Sequence, residues 1–181
     1  MAGPSSTRKG SCTAVPEPSD YWSTCQQRLA GLGCEPVLIG ALAALEYRLT
    51  PRFTTDVDFL VRSLDGVVAA FEAEGYTVQA MAEPGGEPYV VFIRGKGVAV
   101  DALLVETDYQ AAAHRRAVNR LLTVEDVIVH KLIAWRAKDQ DDIASILAAA
   151  PLLDAGYIQR WATEWQVSDR WAESKQRWMG S

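Results

Sequence analysis

The stretch Gly40-Ala-Leu-Ala-Ala-Leu-Glu-Tyr-Arg-Leu-Thr-Pro-Arg52-Phe-Thr54-Thr-Asp56-Val-Asp58-Phe-Leu-Val61 decides the fold. A glycine opens a small-residue helix, Ala41 to Tyr47, that can pack closely on a sheet. A loop over Arg52–Thr55 leads into an apolar strand, Asp56–Val61, interrupted by two acids. Alternate side chains of a strand share a face, so Asp56 and Asp58 point one way, with α-carbons about 7 Å apart. Val57 and Phe59 point the other way, into a core. Two carboxylates on one face beside an apolar run repel each other and lose hydration, so they call for a cation, either a metal ion or a basic side chain. Oxygen ligands of this kind favour Mg2+ or Mn2+. A bare Asp-x-Asp also fits a strand cap followed by a solvated edge acid.

The flanking sequence adds a third acid. Pro36–Ile39 is a short apolar strand ahead of Gly40. Downstream, Leu64–Glu74 is helical, Gly75 leads into a strand at Tyr76–Ala80, and Tyr89–Arg94 is a further strand. Gly95-Lys96-Gly97 then forces a tight hairpin into Val98–Val105. Asp101 sits mid-strand in that last run, where an unpaired acid is costly. Three strand carboxylates suit two-metal phosphoryl chemistry. Gly40, between a strand and a helix, can bring backbone N–H groups close to a phosphate. Arg52 and Thr54 can hold phosphates or neutralise the acids.

From Thr123 onward the chain is helical. Thr123-Val-Glu-Asp126 reads as a capping box that launches a helix over Glu125–Trp135, and a second follows from about Lys138 to Ala149. Lys131, after an apolar helical run, is expected to be partly buried and available for a phosphate or an acid. Asp139 and Asp142, at i and i+3, share a face and can orient Lys131 or Arg136. His130 reads as structural. Trp161 and Trp165, four apart, are expected to be mostly buried against the rest of the chain, and Trp178 to be mostly exposed unless a second subunit covers it.

Composition sets the outer limits. With 49% hydrophobic and 23% charged residues the 181-residue chain is ordinary for a globular domain. Its net charge of −5 gives no general footprint for nucleic acid, and 14 of its 23 acids precede His114. Cys12, Cys25 and Cys34 lack metal-ligand spacing, and the chain's 2 histidines do not supply a zinc set. Free thiols without a secretory signal lead to a cytoplasmic expectation, and no apolar run has the length of a membrane span. The expected organisation is a disordered leader (1–20), an αβ domain (21–150) and a Trp-rich helical appendage (151–181). The order of elements implies an α+β fold with a mixed sheet, helices mainly on one side, and C-terminal helices.

Taken in order, Gly-x-x-Ala, Arg-x-Thr-x-Asp-Val-Asp-Phe, a strand Asp, and Glu-Asp-x-x-x-x-Lys-Leu-x-Ala-x-Arg-x-Lys-Asp-x-x-Asp-Ile resemble the minimal nucleotidyltransferases. The group most similar occurs in abortive-infection and toxin–antitoxin systems, and the likeness spans about Pro36 to Leu147. It implies the nucleotidyltransferase fold and transfer of a nucleoside monophosphate from a nucleoside triphosphate to RNA, a protein or a small molecule. It also implies a Mg2+ or Mn2+ cofactor, and a toxin-type role would bring an antitoxin-like partner. By the resemblance, Asp56 and Asp58 bind metal, and Asp101 joins them or activates the acceptor hydroxyl. Gly40, Ala41, Arg52, Thr54 and Arg136 would bind nucleotide, and Lys131 would neutralise transition-state charge. Where relatives carry Gly-Gly or Gly-Ser, this chain has Gly40-Ala41, which keeps the backbone donor and lacks the hydroxyl. The alternative is a module of the same fold that binds a nucleotide or partner without turnover.

Overall fold

The computed structural model describes residues 18–149 and 152–179. Its elements run α1 (Pro18–Gly31), β1 (Val37–Ile39), α2 (Gly40–Leu45), β2 (Asp56–Val61), α3 (Val67–Ala73), β3 (Thr77–Ala82), β4 (Pro88–Gly95) and β5 (Val98–Leu104). Helices α4 (Asp108–Arg116), α5 (Val124–Ala134), α6 (Ala137–Ala148), α7 (Ala155–Glu164) and α8 (Ser168–Ser174) follow, ending in a π-helical turn, Lys175–Met179. The expected α+β architecture is present: five strands form one mixed sheet in the order β1-β2-β5-β4-β3, with β2 and β5 parallel and every other pair antiparallel.

Alternation along the central strands separates a dry face from a chemical one. Val57, Phe59 and Val61 of β2, Val100 and Ala102 of β5, and Val91 and Ile93 of β4 are buried, in one core with Leu29 of α1 and Val67 and Phe71 of α3. The opposite face presents Asp56, Asp58 and Asp101. The parallel pairing puts Asp58 directly across from Asp101, so the two acids necessarily share that face.

Several boundaries differ from the sequence reading. Helix α1 starts at Pro18 rather than near Tyr21, because proline's fixed φ suits a first helical turn, where its missing N–H is not needed. The expected leader is thereby shortened, and residues 1–17 lie outside the described residues. Helix α4, not placed individually from the sequence, has the full capping box: the Thr107 hydroxyl accepts from Gln110 N, and the Gln110 side chain accepts from Thr107 N. At Thr123 only half of the expected box forms. Thr123 caps Asp126 N at 3.4 Å, but the Asp126 carboxylate accepts from Thr123 Oγ1, the Tyr157 hydroxyl and the Arg116 guanidinium instead of reaching back.

The C-terminal helices are fastened to α5. Tyr157 of α7 donates to Asp126 at 2.6 Å, and Arg170 of α8 donates to the carbonyls of Leu132 and Ile133, capping the end of α5. Trp161 and Trp171 are buried. Trp165 is mostly buried as expected but, at 37% exposed, less so than Trp161, because it caps the end of α7 beside a cavity; Trp178 is half-buried against the core instead of mostly exposed. Among the described residues no helix is long and apolar enough to cross a membrane.

Candidate active site

Every candidate site residue from the sequence lines one cavity of about 180 Å³: Gly40 and Ala41 of α2, Arg52 and Thr54 of the following loop, Asp56 and Asp58 of β2, Asp101 of β5, Lys131 of α5, and Arg136 before α6. Lys138, in the first turn of α6, completes the wall and was not singled out from the sequence. Carboxylates thus meet a basic wall, as a phosphate ester and its counter-ion require.

Gly40 has a role that sequence reading assigned only in part. Its φ of +69° is in the left-handed region, and a Cβ there would stand 2.7 Å from Asp58 Cγ, on top of the carboxylate. Glycine is therefore what lets the Asp58 side chain lie against the start of α2. Gly40→Ala is expected to displace Asp58 and add backbone strain of about 1–2 kcal/mol. A misplacement of about 1 Å at a reacting centre costs about 10²-fold in rate, so turnover at this site should fall by about that factor. Unchanged activity alongside an unchanged melting temperature would show that the close approach is dispensable.

The acids carry electrostatic stress. Burial raises the pKa of Asp58, and Asp101 and Asp56 raise it further, against the lowering effect of Lys131 and Lys138. Asp101 has Arg94 of β4 beside it, with Nη2 2.6 Å from Oδ1, yet that oxygen is buried and receives no hydrogen bond. Among the described residues no three His, Cys, Asp or Glu side chains are gathered closely enough to enclose a metal ion. The three acids share a face and a cavity but do not close into the metal-sized cluster expected from sequence, because Arg94 pairs with Asp101 and like charges stay apart. The donor set still suits a hard divalent cation: three carboxylates line one cavity, and one of them, Asp58, is held above its usual range by burial and its acidic neighbours.

The basic wall is anchored from behind. Asp142 is fully buried and is met by Arg48, by Lys131 Nζ at 2.8 Å and by Arg52 Nε at 3.3 Å. Asp139, also fully buried, is met by Lys131 at 3.2 Å and by Arg136 Nε at 2.6 Å. Burial works to raise the Asp139 pKa, but the Arg136 hydrogen bond and the Lys131 charge outweigh it and hold the carboxyl below its usual range. These two acids therefore orient Lys131, Arg52 and Arg136, one of the alternatives open from sequence. The pattern was readable: Asp139 and Asp142 stand four residues before Ile143 and Ile146, on the buried face of α6. Arg94 and Arg48 gave no comparable sign, since each reads as a surface arginine until the fold places it.

No family model matches the chain, and no curated protein matches it. Solved structures do. Over 87% of this chain and 96% of the other, the fold is similar to the antibiotic-resistance factor ANT(2'')-Ia, with a TM-score of 0.53 at 15% identity. An antigenic nucleotidyltransferase-like protein from Paracoccidioides brasiliensis aligns over 87% of this chain and 91% of its own, at 17% identity and a TM-score of 0.48. The chain has the nucleotidyltransferase fold, in agreement with the resemblance carried by its motifs.

Proposed function

We propose that the chain is a divalent-metal-dependent nucleotidyltransferase that moves a nucleoside monophosphate from a nucleoside triphosphate to an acceptor hydroxyl. The observation that carries this reading is the convergence of the strand acids, Gly40 and four cationic side chains on one cavity. Asp56, Asp58 and Asp101 would hold Mg2+ or Mn2+, which when bound neutralises phosphate charge and polarises the α-phosphate. Arg52, Arg136 and Lys138 bind the triphosphate, and Lys131, fixed between Asp139 and Asp142, stabilises the charge that builds on the phosphate oxygens. In the transfer, the acceptor oxygen bonds to the α-phosphorus as the bond from that phosphorus to pyrophosphate breaks. The acceptor proton passes to Asp101, and pyrophosphate leaves along the cationic wall.

One observation favours a second reading, a nucleotide-binding module without turnover: Arg94 already supplies a positive charge to Asp101. Transfer of label from an α-labelled nucleoside triphosphate, in Mg2+, to pooled RNA, protein and small-molecule acceptors separates the two. The transferase reading expects labelled product; Mg2+-dependent binding with no product in any pool would favour the module.

Lys131 gives a narrower test. It is buried, at 5% exposed, and holds two buried acids. Lys131→Ala should therefore both destabilise the protein by about 3 kcal/mol and weaken triphosphate binding at least tenfold. Calorimetric titration at a temperature where the variant is folded checks the second effect. Wild-type affinity would remove Lys131 from the phosphate wall.

A further inference from the structure

A second cavity of about 310 Å³ adjoins the first, and Gly40, Asp58, Lys131 and Arg136 form the wall between them. Its character is different. Ile39, Leu60, Leu103, Tyr109, His130 and Trp165 give it an apolar and aromatic side, and its volume is at the small end of ligand pockets.

Its charged side chains are either paired within the protein or shared with the first cavity, Asp58 among them. Lys131 is paired with Asp139 and Asp142, and Arg136 with Asp139. Tyr109 turns its hydroxyl away, donating to the Asp126 carbonyl, and offers its ring, which meets Trp165 edge-on at 6.3 Å. The part of Trp165 that remains exposed therefore lies beside an aromatic partner. Among the described residues the His130 side chain has no hydrogen-bond partner, and burial together with the Lys131 charge holds its pKa at about 4, so a neutral imidazole is left on the wall.

Building on the transferase reading, the two cavities divide the reactants. In-line displacement needs the attacking and leaving oxygens on opposite sides of the phosphorus. The pyrophosphate side is the cationic compartment, so attack comes from the side where the second cavity meets Asp58. We propose that this second cavity is the acceptor subsite and that it takes an uncharged aromatic alcohol. An RNA acceptor would need unpaired cations along its track. A polycationic acceptor would need free acids beyond Asp58, which the metal ion of the transferase reading would take, and Asp139 is neutralised twice over. A flat uncharged ring needs only apolar and aromatic walls, with the His130 imidazole free to hydrogen-bond its polar edge.

The test uses 2-naphthol as a neutral aromatic alcohol, kanamycin as a polycation, and tripolyphosphate with Mg2+ to fill the first compartment. Calorimetric titration of the full chain should show saturable 2-naphthol binding in the presence of tripolyphosphate, and kanamycin binding at least tenfold weaker. Ala134→Trp places a large side chain at the cavity from an exposed position at the end of α5, so it should block 2-naphthol without a folding cost. Trp165→Ala should weaken it at least tenfold. Both variants should keep wild-type affinity for tripolyphosphate and for ATP. The proposal is overturned if 2-naphthol fails to saturate, if Ala134→Trp binds it as wild type does, or if ATP displaces it and loses affinity in the same variants. That last result would give the cavity to the nucleobase. Failure of tripolyphosphate itself to bind would instead overturn the phosphate wall, a separate and recognisable outcome.

Discussion

Asp58→Asn is expected, on the transferase reading proposed above, to lower nucleotidyl transfer by about 10³-fold or more, while the protein stays folded. Asp58 stands at the meeting point of both cavities, opposite Asp101, with its carboxylate against Gly40. Asparagine keeps the shape and loses the charge that a divalent ion needs. The same change should raise stability in metal-free buffer. The folded state lifts the Asp58 pKa above 3.8, through burial first and the neighbouring acids second, so it binds that proton more readily than the unfolded chain does. Stability from this group is fully present below the unfolded pKa and is lost as pH rises through the folded value. At neutral pH the wild type therefore carries the full cost of the charge, and Asp58→Asn does not. The variant should melt higher than wild type at pH 7 with EDTA, and the gap should close as the pH is taken below 4. A variant that melts lower at pH 7 would mean that Asp58 is adequately paired by Lys131 and Lys138.

Asp142→Ala should have the largest effect on stability. It leaves Arg48, Lys131 and Arg52 short of their shared, fully buried acid, and breaking such a pair costs about 3–5 kcal/mol. For a domain of this size that corresponds to a drop in melting temperature of roughly 10 °C. Asp141→Ala, one residue earlier and exposed, should change stability by no more than about 0.5 kcal/mol. Triphosphate affinity should fall in Asp142→Ala as well, because Arg52 and Lys131 lose their anchor. Chemical denaturation of the two variants side by side measures the difference. Equal stabilities would show that the buried cluster contributes no more than a surface ion pair.

Much of this architecture was legible because period-two alternation is a local property. Val57 and Phe59 facing inward fixes Asp56 and Asp58 outward, and the glycines at 95 and 97 set the β4–β5 hairpin. What alternation cannot give is which strands become neighbours. Asp58 and Asp101 meet only because β5 inserts beside β2, with β3 and β4 displaced outward. A metal pair was thus inferable as a hypothesis, whereas the Arg94–Asp101 contact was not, since it depends on β4 lying on the other side of β5. The difference between Trp161 and Trp165 was not legible for a related reason. Four-residue spacing puts Trp165 on the face of Trp161, but Trp165 is the residue that ends α7, and helical spacing does not fix the surroundings of a terminal residue.

The most direct test of a working metal site is calorimetric titration of ATP into the full chain, with millimolar Mg2+ or with EDTA, for wild type and Asp58→Asn. Coupled carboxylate and phosphate ligation predicts wild-type binding at least tenfold tighter with Mg2+, a gain that Asp58→Asn loses. Equal ATP affinity in Mg2+ and EDTA, or a Mg2+ effect that survives Asp58→Asn, would contradict it.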